Sequence, residues 1–210
     1  MSNVIIGLSG DRQVGKSKVA DHLVRTHGFH RVHPFNGGKA ATRGYLEHIG
    51  VSSVTAHRMT DGDLKDLPCD ALPVITNPDH GEIGCHYTPR FWMEKFGQFM
   101  GIQMGPDWTI GRELKRLTDQ TDSLRLIVES IVFEADVLQG MGGIVIEIQG
   151  PIRSDEQIDA METRKYGALI RPDLVFLNDK ETIVDMGFDL DNFLEENFGI
   201  RERQPDMMVM

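Results

Sequence analysis

Eight residues near the start of the chain constrain its fold more than any other segment. These residues, 10–17, read Gly-Asp-Arg-Gln-Val-Gly-Lys-Ser. An apolar run typical of a buried parallel strand precedes them, and apolar residues at helical spacing follow them. The eight residues match the phosphate-binding pattern G-x-x-x-x-G-K-[ST], in the strand, loop and helix context that this pattern requires. Backbone N–H groups of such a loop, and the positive end of the helix dipole, face one phosphate group. The motif therefore predicts an α/β domain that binds a nucleoside triphosphate.

Individual positions of this motif have predicted roles. The lysine, Lys16, is expected to reach the β- and γ-phosphates, and the hydroxyl of Ser17 is expected to ligate Mg²⁺. ATP and Mg²⁺ are therefore the expected cofactors. The predicted ATP-binding residues are Gly10, Asp11, Arg12, Gln13, Val14, Gly15, Lys16, Ser17 and Lys18.

Length and charge narrow the class of protein. A chain of 210 residues fits one P-loop domain over residues 1–203, with a parallel sheet flanked by helices and one inserted substrate-binding or lid excursion. The net charge of −10 argues against a nucleic-acid partner, because such binding depends on many contacts between Lys or Arg and phosphate. Two cysteines, no secretory signal and no long apolar run predict a soluble cytoplasmic protein with no membrane partner. The oligomeric state stays open, with a homodimer as one option.

Periodicity and turn-forming residues predict the remaining elements. Strands are predicted after Gly28 and over residues 144–148 and 173–177. Helices are predicted from Thr88-Pro89, from Asp107, and over residues 124–138, 155–165 and 189–197, with a core stripe at Trp92, Phe96, Phe99, Met100 and Gln103. Residues 50–88, rich in turn formers, are predicted to form the partly mobile excursion, and residues 204–210 a disordered tail.

Several segments carry a resemblance to a known family. They are the P-loop, residues 33–39, Thr88-Pro89-Arg90, residues 105–108 and residues 174–179. Their order resembles that of phage-type deoxynucleoside monophosphate kinases, with this chain as a divergent member. The resemblance implies transfer of a phosphoryl group from ATP to a deoxynucleoside monophosphate, with a modified pyrimidine as one option. In this resemblance, two residues correspond to residues of the family's monophosphate site. They are Lys39, which ends a loop that begins with phenylalanine, and Arg90.

The chain departs from this family at a strand end. The family's step of aspartate, hydrophobe and arginine reads Pro151-Ile152-Arg153 here, so another acid must replace the aspartate. Glu147 is the preferred metal-ligating carboxylate, because it interrupts an otherwise apolar strand, and Asp155 and Glu156 are the other candidates. Arg90 suits an acceptor phosphate because its planar fork binds phosphate in a bidentate manner. Arg153 is expected to bridge both phosphates, and Arg112 is the next candidate for substrate binding.

Other functions stay open at this point. They are a kinase acting on a hydroxymethylated base in DNA, a dephospho-coenzyme A kinase, and a nucleotide-sensing P-loop protein without efficient transfer. The acidic charge counts against the first, because a duplex substrate favours a basic surface. A zinc site made of Cys69, His80, Cys85 and His86 is a further option, although this spacing matches no common zinc module.

Overall fold

The computed structural model describes residues 4–11, 13–118, 125–150 and 169–201. The chain divides into two compact units, one made of Met1–Pro34 and Ile110–Met210 and the other of Phe35–Thr109. The second unit starts before the predicted excursion at residue 50 and ends after it. Arg12, Arg153, Asp155 and Glu156, the helix predicted over residues 155–165 and the tail predicted over residues 204–210 lie outside the described residues.

The described residues of the first unit form both strands and helices. Over the described ranges, the strands are β1 (Val4–Ser9), β2 (His30–Val32), β3 (Arg125–Val128), β4 (Ile144–Gln149) and β5 (Leu174–Leu177). The helices are α1 (Lys16–His27), α2 (Asn36–His48), α3 (Ser53–Asp61), α4 (Pro89–Phe99), α5 (Pro106–Thr118), α6 (Ala135–Gly140) and α7 (Ile183–Phe198). Helices α2, α3 and α4 belong to the second unit, and α5 contains the boundary between the units.

The first unit is built on a parallel sheet with the strand order β2-β3-β1-β4-β5. Central strand β1 pairs with β3 on one side, where Ile6 faces Ile127, and with β4 on the other, where Ile6 faces Ile144. Both faces of the sheet are covered, as in other all-parallel sheets. Helices α1 and α7 bury one face, with Leu23 and Leu190 in its core, and α5 and α6 contribute to the core of the other. The predicted α/β fold with a flanked parallel sheet is confirmed.

The helix predicted over residues 124–138 is wrong. This stretch forms strand β3, then a loop, and α6 begins only at Ala135. Strand β3 lies between β1 and β2, and its residues Leu126, Ile127 and Val128 are all buried. All three are apolar because both faces of the strand are covered. A short apolar run of this kind fits a buried strand and a buried helix equally well. The correction places the following residue, Glu129, at the carboxyl end of a strand next to β1.

Other predicted elements of the first unit are confirmed with shifted ends. Gly28 ends α1 in the left-handed conformation, with φ of 69°, and β2 follows. Strands β4 and β5 lie where strands were predicted. The last helix begins earlier than expected, at Ile183, because the Thr182 hydroxyl accepts a hydrogen bond from the backbone of Asp185 and caps it.

The second unit contains more regular structure than the sequence indicated. Helix α3 lies inside the predicted excursion, and its start is fixed by Ser52, whose hydroxyl accepts a hydrogen bond from the backbone of Thr55 at 3.2 Å. Residues 33–39 do not form a loop throughout, because α2 begins at Asn36 and carries Lys39. A small core joins these elements, made of Leu46, Ala56, Met59, Cys69 and Leu72.

Helix α4 starts as predicted but buries a different face. The Thr88 hydroxyl accepts a hydrogen bond from the backbone of Phe91, and Pro89 occupies the first turn. The predicted core stripe is wrong at Trp92 and Phe99, which are 37 % and 53 % exposed, and at Gln103, which is also exposed. The buried side chains are Pro89 and Met93, one position away from the aromatic stripe, and Met100 in the π-helical turn Met100–Met104 that follows. Trp92 stacks on Tyr45 of α2 instead, with ring centroids 5.2 Å apart.

Candidate active site

The predicted phosphate loop connects β1 to α1, and two glycines fix its path. Gly10 has φ of +119° and Gly15 has φ of +102°, values that residues with a side chain rarely adopt. A Cβ at Gly10 would collide with the carbonyl oxygen of Ile148, and one at Gly15 would collide with the side-chain amide of Asn178. The loop therefore lies against the ends of β4 and β5, where ligands of open parallel sheets bind.

Asn178 holds this loop in place. Its side-chain Nδ2 donates to the carbonyl of Val14 at 2.8 Å, and its own backbone N–H donates to the carbonyl of Gln149 at 2.7 Å. The residue thus links the phosphate loop to the ends of two strands. Asn178 falls in the segment 174–179 that resembles the kinase family, but its role was not predicted, since nothing local indicates a contact with a residue so distant in the chain.

Helix α1 presents its first turn to the loop. Its N-cap residue is Gly15, which has no side chain to accept from the first N–H groups of the helix. Lys16 Nζ donates to the carbonyl oxygens of Gly10 at 2.7 Å and Asp11 at 2.6 Å. Burial lowers the pKa of Lys16, although the carboxylates of Asp11 and Glu129 partly oppose that effect. A partly buried ammonium beside exposed helix N–H groups favours an anion at this position.

Glu129 is the carboxylate next to this loop. The Ser17 hydroxyl donates to its Oε1 at 2.5 Å, and Nε of Arg31 donates to its Oε2 at 2.5 Å. The Glu129 side chain is only 10 % exposed. Burial alone would raise the pKa of Glu129, but the hydrogen bonds from Arg31 and Ser17 outweigh it and hold the pKa below its usual range. Glu129 is therefore a carboxylate anion at neutral pH.

The strand order explains why Glu129 reaches Ser17. Strand β3 pairs with β1 in parallel, so the residue that follows β3 lies beside the loop that follows β1. Sequence reasoning missed Glu129 because its strand was interpreted as a helix. The available signal was an acid directly after the apolar run Leu126, Ile127 and Val128.

The sequence-based choice of Glu147 as the metal carboxylate is not supported by this geometry. Glu147 lies on β4, opposite Ser9, and accepts a hydrogen bond from the Gln149 side chain at 3.2 Å. The carboxylate in contact with Ser17 is that of Glu129. Since a metal ion bound to the Ser17 hydroxyl needs further oxygen ligands at the same place, Glu129 is the better candidate.

The second unit contains a separate cluster of cations. Lys39 and Arg43 contact the carboxylate of Asp61 at 2.8 and 2.5 Å, and Arg90 forms a two-pronged pair with Asp66. The backbone N–H of Arg90 donates to the carbonyl of Lys65 at 2.9 Å.

The pKa of Lys65 indicates that Lys39, Lys65 and Arg90 lie near one another. Burial lowers the pKa of Lys65, and the positive charges of Arg90 and Lys39 lower it further. Lys39 and Arg90, the two residues matched to the monophosphate site, therefore act on the same lysine. Sequence reasoning missed Lys65 and also Arg43, which follows Lys39 by one helical turn on α2.

The remaining predicted residues lie elsewhere. Arg112 is exposed on α5, in the first unit. The alternative zinc residues do not form a metal-binding group in the described part of the chain: His86 contacts the carbonyl of Leu72, and His80 contacts the Tyr87 hydroxyl.

Comparison with known proteins identifies the fold and no activity. No protein-family model matches the sequence, and no curated protein matches it. Among solved structures, the chain is similar to TT1252 from Thermus thermophilus, with a TM-score of 0.51 and 14 % identity over 94 % of this chain and 99 % of that chain. At that identity the likeness shows a shared architecture alone. Among the described residues, no helix has the length and apolar character needed to span a membrane.

Proposed function

We propose that this protein is an ATP-dependent kinase that transfers a phosphoryl group to a deoxynucleoside monophosphate. The observation that carries the proposal is the contact between Ser17 and Glu129 beside the glycine loop. A serine hydroxyl and a strand-end carboxylate are the two protein groups that hold Mg²⁺ in P-loop enzymes. Their arrangement here favours a site for a triphosphate with its metal ion over a site for a simple anion.

The donor side follows from these residues. The N–H groups of the loop and of the first turn of α1 bind phosphate oxygens, and Lys16 exchanges its contacts with the Gly10 and Asp11 carbonyls for contacts with the transferring phosphate. Ser17 and Glu129 would hold the metal ion, which would supply positive charge to the phosphates of ATP. Arg31 keeps Glu129 ionised and in position.

The acceptor side rests on the cation cluster of the second unit. Lys39, Arg43, Lys65 and Arg90 lie near the carboxylates of Asp61 and Asp66. These positive charges suit a dianionic monophosphate, and the planar guanidinium of Arg90 can bind two phosphate oxygens at once. The preference for a deoxynucleotide comes from the family resemblance.

The test is a panel of nucleoside and deoxynucleoside monophosphates, including modified pyrimidines, incubated with ATP and Mg²⁺ in a coupled assay of ADP formation. We expect ADP formation to depend on the added monophosphate. A protein that binds ATP but forms no ADP with any monophosphate would be a sensor and would contradict the proposal. If ADP formation depended on added DNA, the acceptor would be a base in DNA and not a monophosphate.

A further inference from the structure

A second group of ligand-type side chains lies at the other end of α1. His22 and His27 of α1 and Asp191 of α7 bring three donor atoms within 4.8 Å of one another. The Nε2 atoms of His22 and His27 lie 2.6 and 2.7 Å from the same oxygen, Oδ1 of Asp191. Gly187 of α7 lets the His22 ring approach, because a Cβ there would lie 2.8 Å from the ring.

The imidazole of His27 faces an acceptor at each of its ring nitrogens. Nδ1 lies 3.3 Å from the carbonyl oxygen of Arg201, and Nε2 lies 2.7 Å from Oδ1 of Asp191. Carbonyl and carboxylate oxygens only accept hydrogen bonds, whereas a neutral imidazole has one N–H donor. When Nδ1 donates to Arg201, the Nε2 lone pair and the Asp191 oxygen face each other across a position that suits a cation. Nε2 of His22 lies 2.6 Å from the same oxygen.

A metal ion satisfies all three side chains at once. Both histidines stay neutral and direct their Nε2 lone pairs at the ion, while Asp191 supplies an anionic oxygen. The carbonyl of Arg201 then orients His27 through Nδ1, as is usual for histidine ligands of metals. His27 is also the last residue of α1, where the helix dipole favours a positive charge.

The donor set selects the kind of metal. We propose that His22, His27 and Asp191 form a zinc site that joins α1 to α7. Two imidazoles and one carboxylate suit zinc, whereas Mg²⁺ and Ca²⁺ favour oxygen ligands alone. Zinc ligands lie about 2.0–2.2 Å from the ion in a tetrahedral arrangement, so each Nε2 atom moves roughly 0.7 Å away from Oδ1 of Asp191 when zinc binds, and water completes the coordination. The site is distinct from the one formed by Ser17 and Glu129.

The test uses the full chain after treatment with a chelator, titrated with ZnCl₂ by calorimetry and with Co²⁺ by visible absorption. We expect one zinc ion per chain, a rise in melting temperature with zinc, and the absorption bands of tetrahedral Co²⁺. Because His27 is fully buried, the variants are His22→Gln and Asp191→Asn, at partly exposed positions. Each should weaken zinc binding by about 10-fold or more, whereas His30→Gln, at an exposed histidine of the same unit, should not.

Three results would overturn the zinc site. They are no zinc binding by the wild-type chain, equal binding by wild type and His22→Gln, and an equal loss in the His30→Gln control. Either of the first two would mean that the three side chains form an ion pair without a metal, and the third would mean that the loss of zinc is not specific to them. Far-UV circular dichroism of every variant separates a lost ligand from a lost fold. Since no readout is an activity, the result stands apart from the outcome for the proposed kinase function.

Discussion

Replacement of Glu129 by glutamine tests the metal-binding carboxylate. The change removes the negative charge and keeps the shape, so Ser17 retains an acceptor while Arg31 faces an amide in place of a carboxylate. If Glu129 is one of only two protein ligands of Mg²⁺, we expect the Mg²⁺ concentration for half-maximal transfer to rise about 10-fold or more. The maximal rate should fall on the order of 10²-fold, since charge neutralisation at the transferring phosphate is weakened.

The same substitution has a cost in stability that can be bounded. Glu129 is 10 % exposed, but Arg31 is 35 % exposed and keeps its pair with Asp21 at 2.7 Å. We therefore expect a loss of about 1–2 kcal/mol, below the cost of breaking a fully buried pair. The pKa of Glu129 is lower in the folded state than the ordinary glutamate value of 4.5. Its contribution to the free energy of unfolding is therefore fully present above pH 4.5 and is lost as the pH falls through the lower pKa of the folded state. Urea denaturation of wild type and variant should differ at pH 7 and converge in strong acid.

Glu147→Gln is the matched control for this prediction. It changes the same residue type on β4, the strand on the other side of β1, where the carboxylate contacts Gln149 and not Ser17. The assay is the initial rate of ADP formation against Mg²⁺ concentration, at saturating ATP and acceptor. We expect Glu147→Gln to follow the wild type within about twofold. The assignment is wrong if Glu129→Gln needs the same Mg²⁺ concentration as the wild type. A higher Mg²⁺ requirement in Glu147→Gln alone would assign the metal to Glu147 instead.

Three further substitutions test the rest of the site. Lys16→Ala should lower the transfer rate on the order of 10²-fold or more with an unchanged circular dichroism spectrum, and an active variant would contradict the role of Lys16. Arg90→Ala should raise the KM for the monophosphate far more than the KM for ATP, whereas Arg58→Ala, at an exposed arginine of the same unit, should change neither. Equal losses for both substrates would show that Arg90 supports the fold or the donor. Asn178→Ala should raise the Kd for ATP because the loop loses its bond at Val14, and calorimetric titration that shows an unchanged Kd would refute that role.

The phosphate loop could be predicted from the sequence because its constraints are local. Gly10 and Gly15 adopt backbone conformations that favour glycine, and Lys16 and Ser17 open a helix whose apolar spacing is visible in the sequence. Strands β4 and β5 were equally visible, since each is a short, mostly apolar run bounded by turn formers. These features depend on near neighbours in the chain.

The strand β3 and its acid could not be assigned in the same way. Leu126, Ile127 and Val128 are buried by strands and helices distant in sequence, and their spacing with Ile131 and Leu138 imitates a helix. The role of Glu129 depends on the strand order, which pairing between distant segments decides. The absence of an aspartate at Pro151 favoured Glu147 on β4 as the metal ligand, whereas the carboxylate that contacts Ser17 follows β3, on the other side of β1.

The second unit shows a different limit. Its many turn-forming residues suggested a loop, yet α3 forms because Ser52 caps it and Ala56 and Met59 bury one face. The pair of Lys39 with Asp61 joins two helices that no local pattern connects. The resemblance matched Lys39 and Arg90 to a monophosphate site. Arg43 and Lys65 join the proposed cluster only because Arg43 contacts Asp61, as Lys39 does, and Lys65 lies near the charges of Lys39 and Arg90.

The fate of the γ-phosphoryl group tests the central proposal most directly. Wild-type protein is incubated with γ-³²P-labelled ATP, Mg²⁺ and each monophosphate, and the products are separated by thin-layer chromatography. We expect the label to move from ATP to a deoxynucleoside diphosphate, and the transfer to disappear in Lys16→Ala. Label that stays in ATP, or appears only as inorganic phosphate with every acceptor, would contradict the proposal that this P-loop serves phosphoryl transfer to a nucleotide.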